Sequence, residues 1–207
     1  MLSMDKVGLQ TALQSLSIAT QLSEKYRHHR SWSTFLTTSI DYDHYSELEA
    51  HAELTYAELS LLSAGVTVIV DKSFMGFVNG ALYMRRCYNA YKECQKILDH
   101  RCQTSKSTKA WSTSRSINSF DSRTRLGVAM FDLLISCLPR RFVKLIEFVG
   151  FSGNRKVGLE QLTMAIDNGA NDHYLPILAF ISIHYFCFFE YAMGIGKNLV
   201  TTRVYDD

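Results

Sequence analysis

Gly150-Phe-Ser-Gly153 is the segment of this chain that most invites a chemical reading. A serine between glycines suggests a nucleophile elbow, but that device needs G-x-S-x-G on a strand-to-helix turn. Here the spacing is one residue short, and helical periodicity flanks it on both sides. The run GFSGNRK also lacks the G-x-x-x-x-G-K-[ST] pattern of a phosphate-binding loop. Helix N–H groups beside Arg155 and Lys156 could hold an anion; a plain helix–helix turn is the simpler reading. Asp41, Asp43, His44 and His51 are metal-ligand types, yet their spacing fits neither H-E-x-x-H nor a calcium loop. His184 reads as an interior histidine, and the adjacent His28 and His29 point about 100° apart on a helix and read as solvated. Arg140, Arg141 and Lys144, with Arg155 and Lys156, form the densest ordered basic cluster, for which a solvated face is the default. No catalytic constellation, metal site or cofactor site follows from these residues.

Composition points the same way. The chain has 207 residues, a formal charge of +2 and 47% hydrophobic content. So small a charge gives no reason to expect nucleic acid as partner. Two prolines and 11 glycines are few for an all-β fold, where turns demand them. Five cysteines without a CxxC pair read as reduced thiols in a cytoplasmic protein. The apolar run 174–195 is long enough to span a bilayer. It also carries Pro176, His184 and Glu190, and a helix buried in a helical stack fits it better. A membrane-anchored protein held through 174–195 is the alternative.

The elements that would position these residues are helices. An N-terminal helix within residues 1–30 has its stripe at Leu9, Leu13, Leu16, Ala19, Leu22 and Tyr26. A hairpin is expected over 45–101. Ser46-Glu-Leu-Glu49 starts it as a capping box, and Leu48, Ala52, Tyr56, Leu59, Leu62, Val66 and Ile69 form the apolar stripe of its first arm. The second arm begins after Asp71 or Ser73, with Phe74, Phe77, Ala81, Met84, Tyr88, Tyr91 and Leu98 inward. Residues 102–125 hold eleven Ser or Thr and five Lys or Arg, a composition that predicts a mobile loop; a tolerated surface insertion is the simpler reading, and a phosphorylated or docking loop the alternative. Helical hairpins resume over 126–196, followed by a tail at 197–207. The expected fold class is all-α: stacked antiparallel hairpins in an α-solenoid.

Leu138-Pro-Arg-Arg-Phe-Val-Lys-Leu-Ile-Glu-Phe-Val-Gly-Phe-Ser-Gly-Asn154, continuing as Arg155-Lys-Val-Gly-Leu-Glu-Gln-Leu162, resembles the central signature of the tetratricopeptide repeat protein 39 family. Fungal inclusion body clearance proteins belong to the same wider group. Ala52-Glu-Leu-Thr-Tyr-Ala-Glu58, Phe77-Val-Asn-Gly-Ala81, Tyr91-Lys-Glu-Cys94, Leu126-Gly-Val-Ala-Met-Phe131 and Gly194-Ile-Gly196 add to the match, which covers roughly 7–196. The resemblance implies degenerate tetratricopeptide-like hairpins in a non-enzymatic scaffold or adaptor that binds proteins. It further implies links to lipid and sterol homeostasis and protein turnover. The expected location is the cytoplasm, with peripheral sites on a lipid droplet or the mitochondrial outer membrane as variants. Pro139, Arg140, Arg141, Phe148, Gly150, Phe151, Ser152, Gly153 and Asn154 are the signature residues marked for interaction. Family members are much longer, and Lys197–Asp207 does not continue the repeat, so the sequence is expected to be a partial or short form.

Overall fold

The computed structural model describes residues 6–27, 42, 45–103, 111, 114–136 and 154–168. Five helices lie among them: α1 (Lys6–Tyr26), α2 (Glu47–Val70), α3 (Phe74–Gln103), α4 (Ser114–Ser136) and α5 (Arg155–Asn168). No strand occurs among the described residues. The chain forms two compact units, Met1–Gly127 and Val128–Asp207.

In the first unit α2 is the shared wall. It starts where the capping box places it: the Ser46 hydroxyl accepts from the Glu49 N–H at 3.2 Å, and the Ser46 N–H donates to Glu49 Oε2 at 2.8 Å. That reciprocal bonding satisfies two of the donors a helix start leaves orphaned. At the far end Asp71, Lys72 and Ser73 turn the chain into α3. The Asp71 carboxylate accepts from the Ser73 N–H at 2.9 Å, and the Ser73 hydroxyl then takes the Gly76 N–H at 3.2 Å. A connection this short makes α2 and α3 antiparallel neighbours. His51 reaches Ser116 and Glu58 reaches Arg123. Both contacts bridge 65 residues, so α2 and α4 run in the same direction, the order expected of successive helical repeats.

The faces that α2 and α3 bury match the apolar stripes only in part: Ala52, Tyr56 and Tyr91 are buried as the stripes predict. Leu48, Leu62 and Ile69 are exposed on α2, and Phe74, at 73% exposure, is exposed on α3. Also buried on α2, outside the predicted stripe, are Ala50, Glu53, Leu54, Ala57, Ser60, Ser63, Ala64 and Thr67. The reason is close approach. Small side chains at 60, 63, 64 and 67 let the backbones come together, and a Cβ on Gly80 would sit 2.6 Å from Val68 Cγ2 and 3.4 Å from the Ala64 carbonyl oxygen. On α3 the buried set is Gly76, Gly80, Cys87, Ala90, Tyr91, Cys94 and Ile97. In α1 Leu9, Leu13, Leu16 and Ala19 are half-buried as the stripe predicts, while Leu22 and Tyr26 are exposed and Thr20 and Ser23 are buried in their stead.

The loop expected at 102–125 is corrected for most of its length. α3 continues to Gln103, and α4 begins at Ser114, eleven residues before the expected end of the loop. Ser122 and Thr124 are almost wholly buried. The Ser122 hydroxyl donates back to the Asn118 carbonyl at 2.9 Å, which hides its polarity inside the helix. Serine content therefore misleads as a sign of solvation here. Gly127 completes the packing of this unit: the Tyr91 ring lies where any Cβ on that glycine would stand.

The second unit contains the end of α4 and α5. Here Gly158 lets α5 approach α4, since a Cβ on it would meet Asp132 Cβ at 3.1 Å and the Ala129 carbonyl oxygen at 3.2 Å. Leu133, Ile135, Leu162 and Ala165 are buried. The apolar run 174–195 and the tail 197–207 lie outside the described residues.

Candidate functional site

Polar and aromatic side chains converge on the N-terminal half of α2. His51 Nε2 lies 2.9 Å from the Ser116 hydroxyl, which donates in turn to the Glu47 carboxylate. With the serine proton committed to Glu47, the consistent assignment puts a proton on His51 Nε2 as donor to Ser116. A hydrolase triad needs the opposite order, with the imidazole accepting from serine and its other nitrogen held by the carboxylate. The trio is therefore a bridge between α2 and α4. Trp111 and Phe120 enclose the imidazole, with ring centroids 5.2 Å and 5.5 Å from it. Burial, and then the nearby Arg123 cation, lower the His51 pKa below its usual value. Arg101 covers the other side of Trp111 at 5.0 Å and donates to the Tyr45 carbonyl.

One turn further along, Glu53 binds Arg27 in a two-pronged pair, at 2.6 Å to Nε and 2.7 Å to Nη2. The Glu53 side chain is 4% exposed. The Arg27 guanidinium also lies 3.8 Å above the Tyr56 ring. A forked, stacked cation of this kind is what arginine supplies and lysine does not. Burial raises the Tyr45 and Tyr56 hydroxyl pKa values and keeps both neutral. Another turn on, Glu58 pairs with Arg123, at 3.0 Å to Nε. Every acidic side chain of α2 is thus bound to something: Glu47 to α4, Glu49 to its own cap, Glu53 to the residue after α1, and Glu58 to α4.

Cys87 and Cys94 are free and buried, and burial pushes both thiols well above the ordinary range. They are apolar filler rather than nucleophiles. Among the described residues no cluster of His, Cys, Asp and Glu is arranged to hold a metal ion.

Two comparisons decide the family. The model of Iml2/tetratricopeptide repeat protein 39 matches residues 1–203. The Caenorhabditis elegans protein named tetratricopeptide repeat protein ttc-39B is 32% identical over 162 residues, covering 78% of this chain and 27% of the relative. The chain belongs to the Iml2/tetratricopeptide repeat protein 39 family. It spans about a quarter of the length of that relative. No solved structure matches it.

Of the residues that carry the family signature, Pro139, Arg140, Arg141, Phe148, Gly150, Phe151, Ser152 and Gly153 lie outside the described residues, as do His28, His29, Asp41, Asp43, His44 and His184. Asn154 is described, and it is the N-cap of α5. Its Oδ1 accepts from the Lys156 and Val157 N–H groups at 3.1 Å and 3.3 Å, and its own N–H donates to Asp132 Oδ1 at 3.3 Å. The donors that an anion would have used at this helix start are therefore taken up by Asn154 itself. Burial raises the Asp132 carboxyl pKa, partly offset by the hydrogen bond from Asn154. The structure brings His51 to Ser116 rather than to a metal site. The interlocks of Glu47, Glu53 and Glu58 are what sequence reasoning missed: Glu47, Glu49 and Glu53 read simply as the acidic start of a helix, nothing local marks Glu58, and only long-range partners reveal the bonds.

Proposed function

We propose that this chain is a non-enzymatic helical-repeat scaffold that binds protein partners through the exposed faces of its hairpins. One observation carries this reading. The described polar clusters are consumed by helix-to-helix bonds, while large apolar side chains (Leu62, Ile69, Phe74, Met75, Leu82) stand in solvent at one end of the α2–α3 hairpin. Exposed apolar surface of that kind marks interaction sites. Membership of a tetratricopeptide repeat family supports the same role.

Links to lipid and sterol homeostasis and to protein turnover rest on the family resemblance alone, and residence in the cytoplasm on the reading of the cysteines as reduced thiols; all are part of the proposal. α2 has the length and composition of a membrane-spanning helix, with a mean hydropathy of 1.3 over its best window. Its buried Ser60, Ser63 and Thr67 and its ion-paired Glu53 and Glu58 favour a wall inside a helical stack.

The test is affinity isolation of the full chain with time-resolved analysis of what is retained. Partners held at fixed stoichiometry and recovered unmodified support a scaffold. A partner recovered cleaved or chemically altered in proportion to time contradicts it.

A further inference from the structure

The outward face of α3 changes character halfway along. Phe74, Met75 and Leu82 are 73%, 60% and 51% exposed, with Val78 half-buried among them. Arg85, Arg86, Lys92 and Lys96 follow, all exposed. At 100° per residue these eight side chains fall within one third of the helix circumference, opposite the buried row Gly76, Gly80, Cys87 and Cys94. From Phe74 to Met84 the helix carries no charge. In the basic half Arg86 rests over Tyr83 at 5.4 Å and Lys92 over Tyr88 at 4.9 Å. The only acid on this face before Asp99 is Glu93, whose side chain is 15% exposed and bonded to Tyr42 and Lys96.

We infer that the outward face of α3 docks an amphipathic helix of a protein partner, acidic in its N-terminal half and apolar in its C-terminal half, lying antiparallel to α3. This deepens the scaffold reading and rests on it. Charge and dipole fix the direction. An antiparallel partner sets its N-terminal half against Arg85, Arg86, Lys92 and Lys96, and acids near a helix start are favoured by its own dipole. Its C-terminal half then covers Phe74, Met75 and Leu82. α2 has the same order, with Glu47, Glu49, Glu53 and Glu58 followed by an uncharged run from Leu59 to Val70, and it lies antiparallel on the inner face of α3.

A bilayer fits the face less well. Asp71 and Lys72 stand at the very tip of the hairpin and would enter hydrocarbon first. A helix lying in an interface also needs apolar and basic residues on opposite faces along its whole length. Here they follow one another along the same face.

The test uses two synthetic peptides of about 22 residues, matching the span from Phe74 to Lys96. One carries Glu in its N-terminal three turns and Leu on one face of its C-terminal three. The other has the same composition with the halves exchanged. Titrated into the full chain, the first should bind at least about tenfold more tightly than the second. Its affinity should fall by a similar factor in Arg85→Glu/Arg86→Glu and in Leu82→Ser, with helical circular dichroism unchanged. Equal binding of both peptides, no binding of either, or flotation of the chain with phosphatidylserine vesicles that Arg85→Glu/Arg86→Glu abolishes would overturn the proposal. Those results leave the scaffold reading to the affinity isolation above, which does not depend on this face.

Discussion

The two halves of α2 are built on different physics. From Glu47 to Glu58 the helix is held by charge and hydrogen bonds that each reach a different neighbour: Ser116 and Arg123 on α4, and Arg27 just beyond α1. From Leu59 to Val70 it has no charge, buries the small Ser60, Ser63, Ala64 and Thr67, and meets α3 closely where Ala64 and Val68 face Gly80. The first half fixes which helices meet and in what register. The second half allows close approach and leaves Leu62 and Ile69 outside. A helix can thus serve as a structural wall at one end and contribute to a presented surface at the other.

Removing the Glu53–Arg27 pair should separate the halves most strongly. Glu53→Ala removes both charge-assisted hydrogen bonds of a part-buried pair and leaves Arg27 without its partner, a loss of about 1.5–3 kcal/mol. Chemical denaturation of the full chain measures this. Arg27→Lys should recover only part of the stability, because a lysine keeps the charge but not the fork over Tyr56. In the uncharged half, Gly80→Val should wedge α2 from α3 at a cost of about 1–3 kcal/mol, the usual range for overpacking. The same denaturation assay checks it, and an unchanged midpoint would mean the helices are not in close contact there.

The His51 bridge should show in pH dependence. Its folded pKa is depressed, so the unfolded chain binds the proton more readily. The stability it contributes is present above the unfolded value near 6.5 and is lost as pH falls through the folded value. Thermal midpoints measured from pH 7.5 to 5 should fall more steeply for the native chain than for His51→Gln. Smallest of all should be Leu62→Ser, an exposed substitution expected within about 0.5 kcal/mol of the native chain. A large loss would show that Leu62 is core, contrary to the structure.

Much of the helical order was legible in the sequence, for local reasons. The capping box at Ser46 and Glu49, the cap at Ser73 and the helix beginning at Arg155 all use residues within a few positions of one another. The buried faces were legible only in part: Ala52, Tyr56 and Tyr91 turn inward as their stripes predict, whereas Leu48, Leu62, Ile69 and Phe74 do not. A leucine stripe predicts the inward side only when large side chains fill the gap between helices, and α2 meets α3 most closely at Ala64 and Gly80. α4 was missed over 114–125 because its serines find partners inside the fold: Ser122 bonds back to its own helix and Ser116 donates to Glu47 on α2. The candidate site depended on Glu47–Ser116, Glu53–Arg27 and Glu58–Arg123, partners 26 to 69 residues apart. No spacing rule within a helix carries that information. The family signature centred on 138–154 was the most specific part of the sequence, and it identified the lineage rather than these contacts.

Native-state hydrogen exchange along α2 tests the division most directly. Amides from Ala50 to Ser60, tied through their side chains to α4 and Arg27, should exchange only with global unfolding of the first unit. Amides from Leu62 to Val70 should exchange sooner, through local opening of the hairpin end. Uniform protection along the helix, or slower exchange in the uncharged half, would contradict the account.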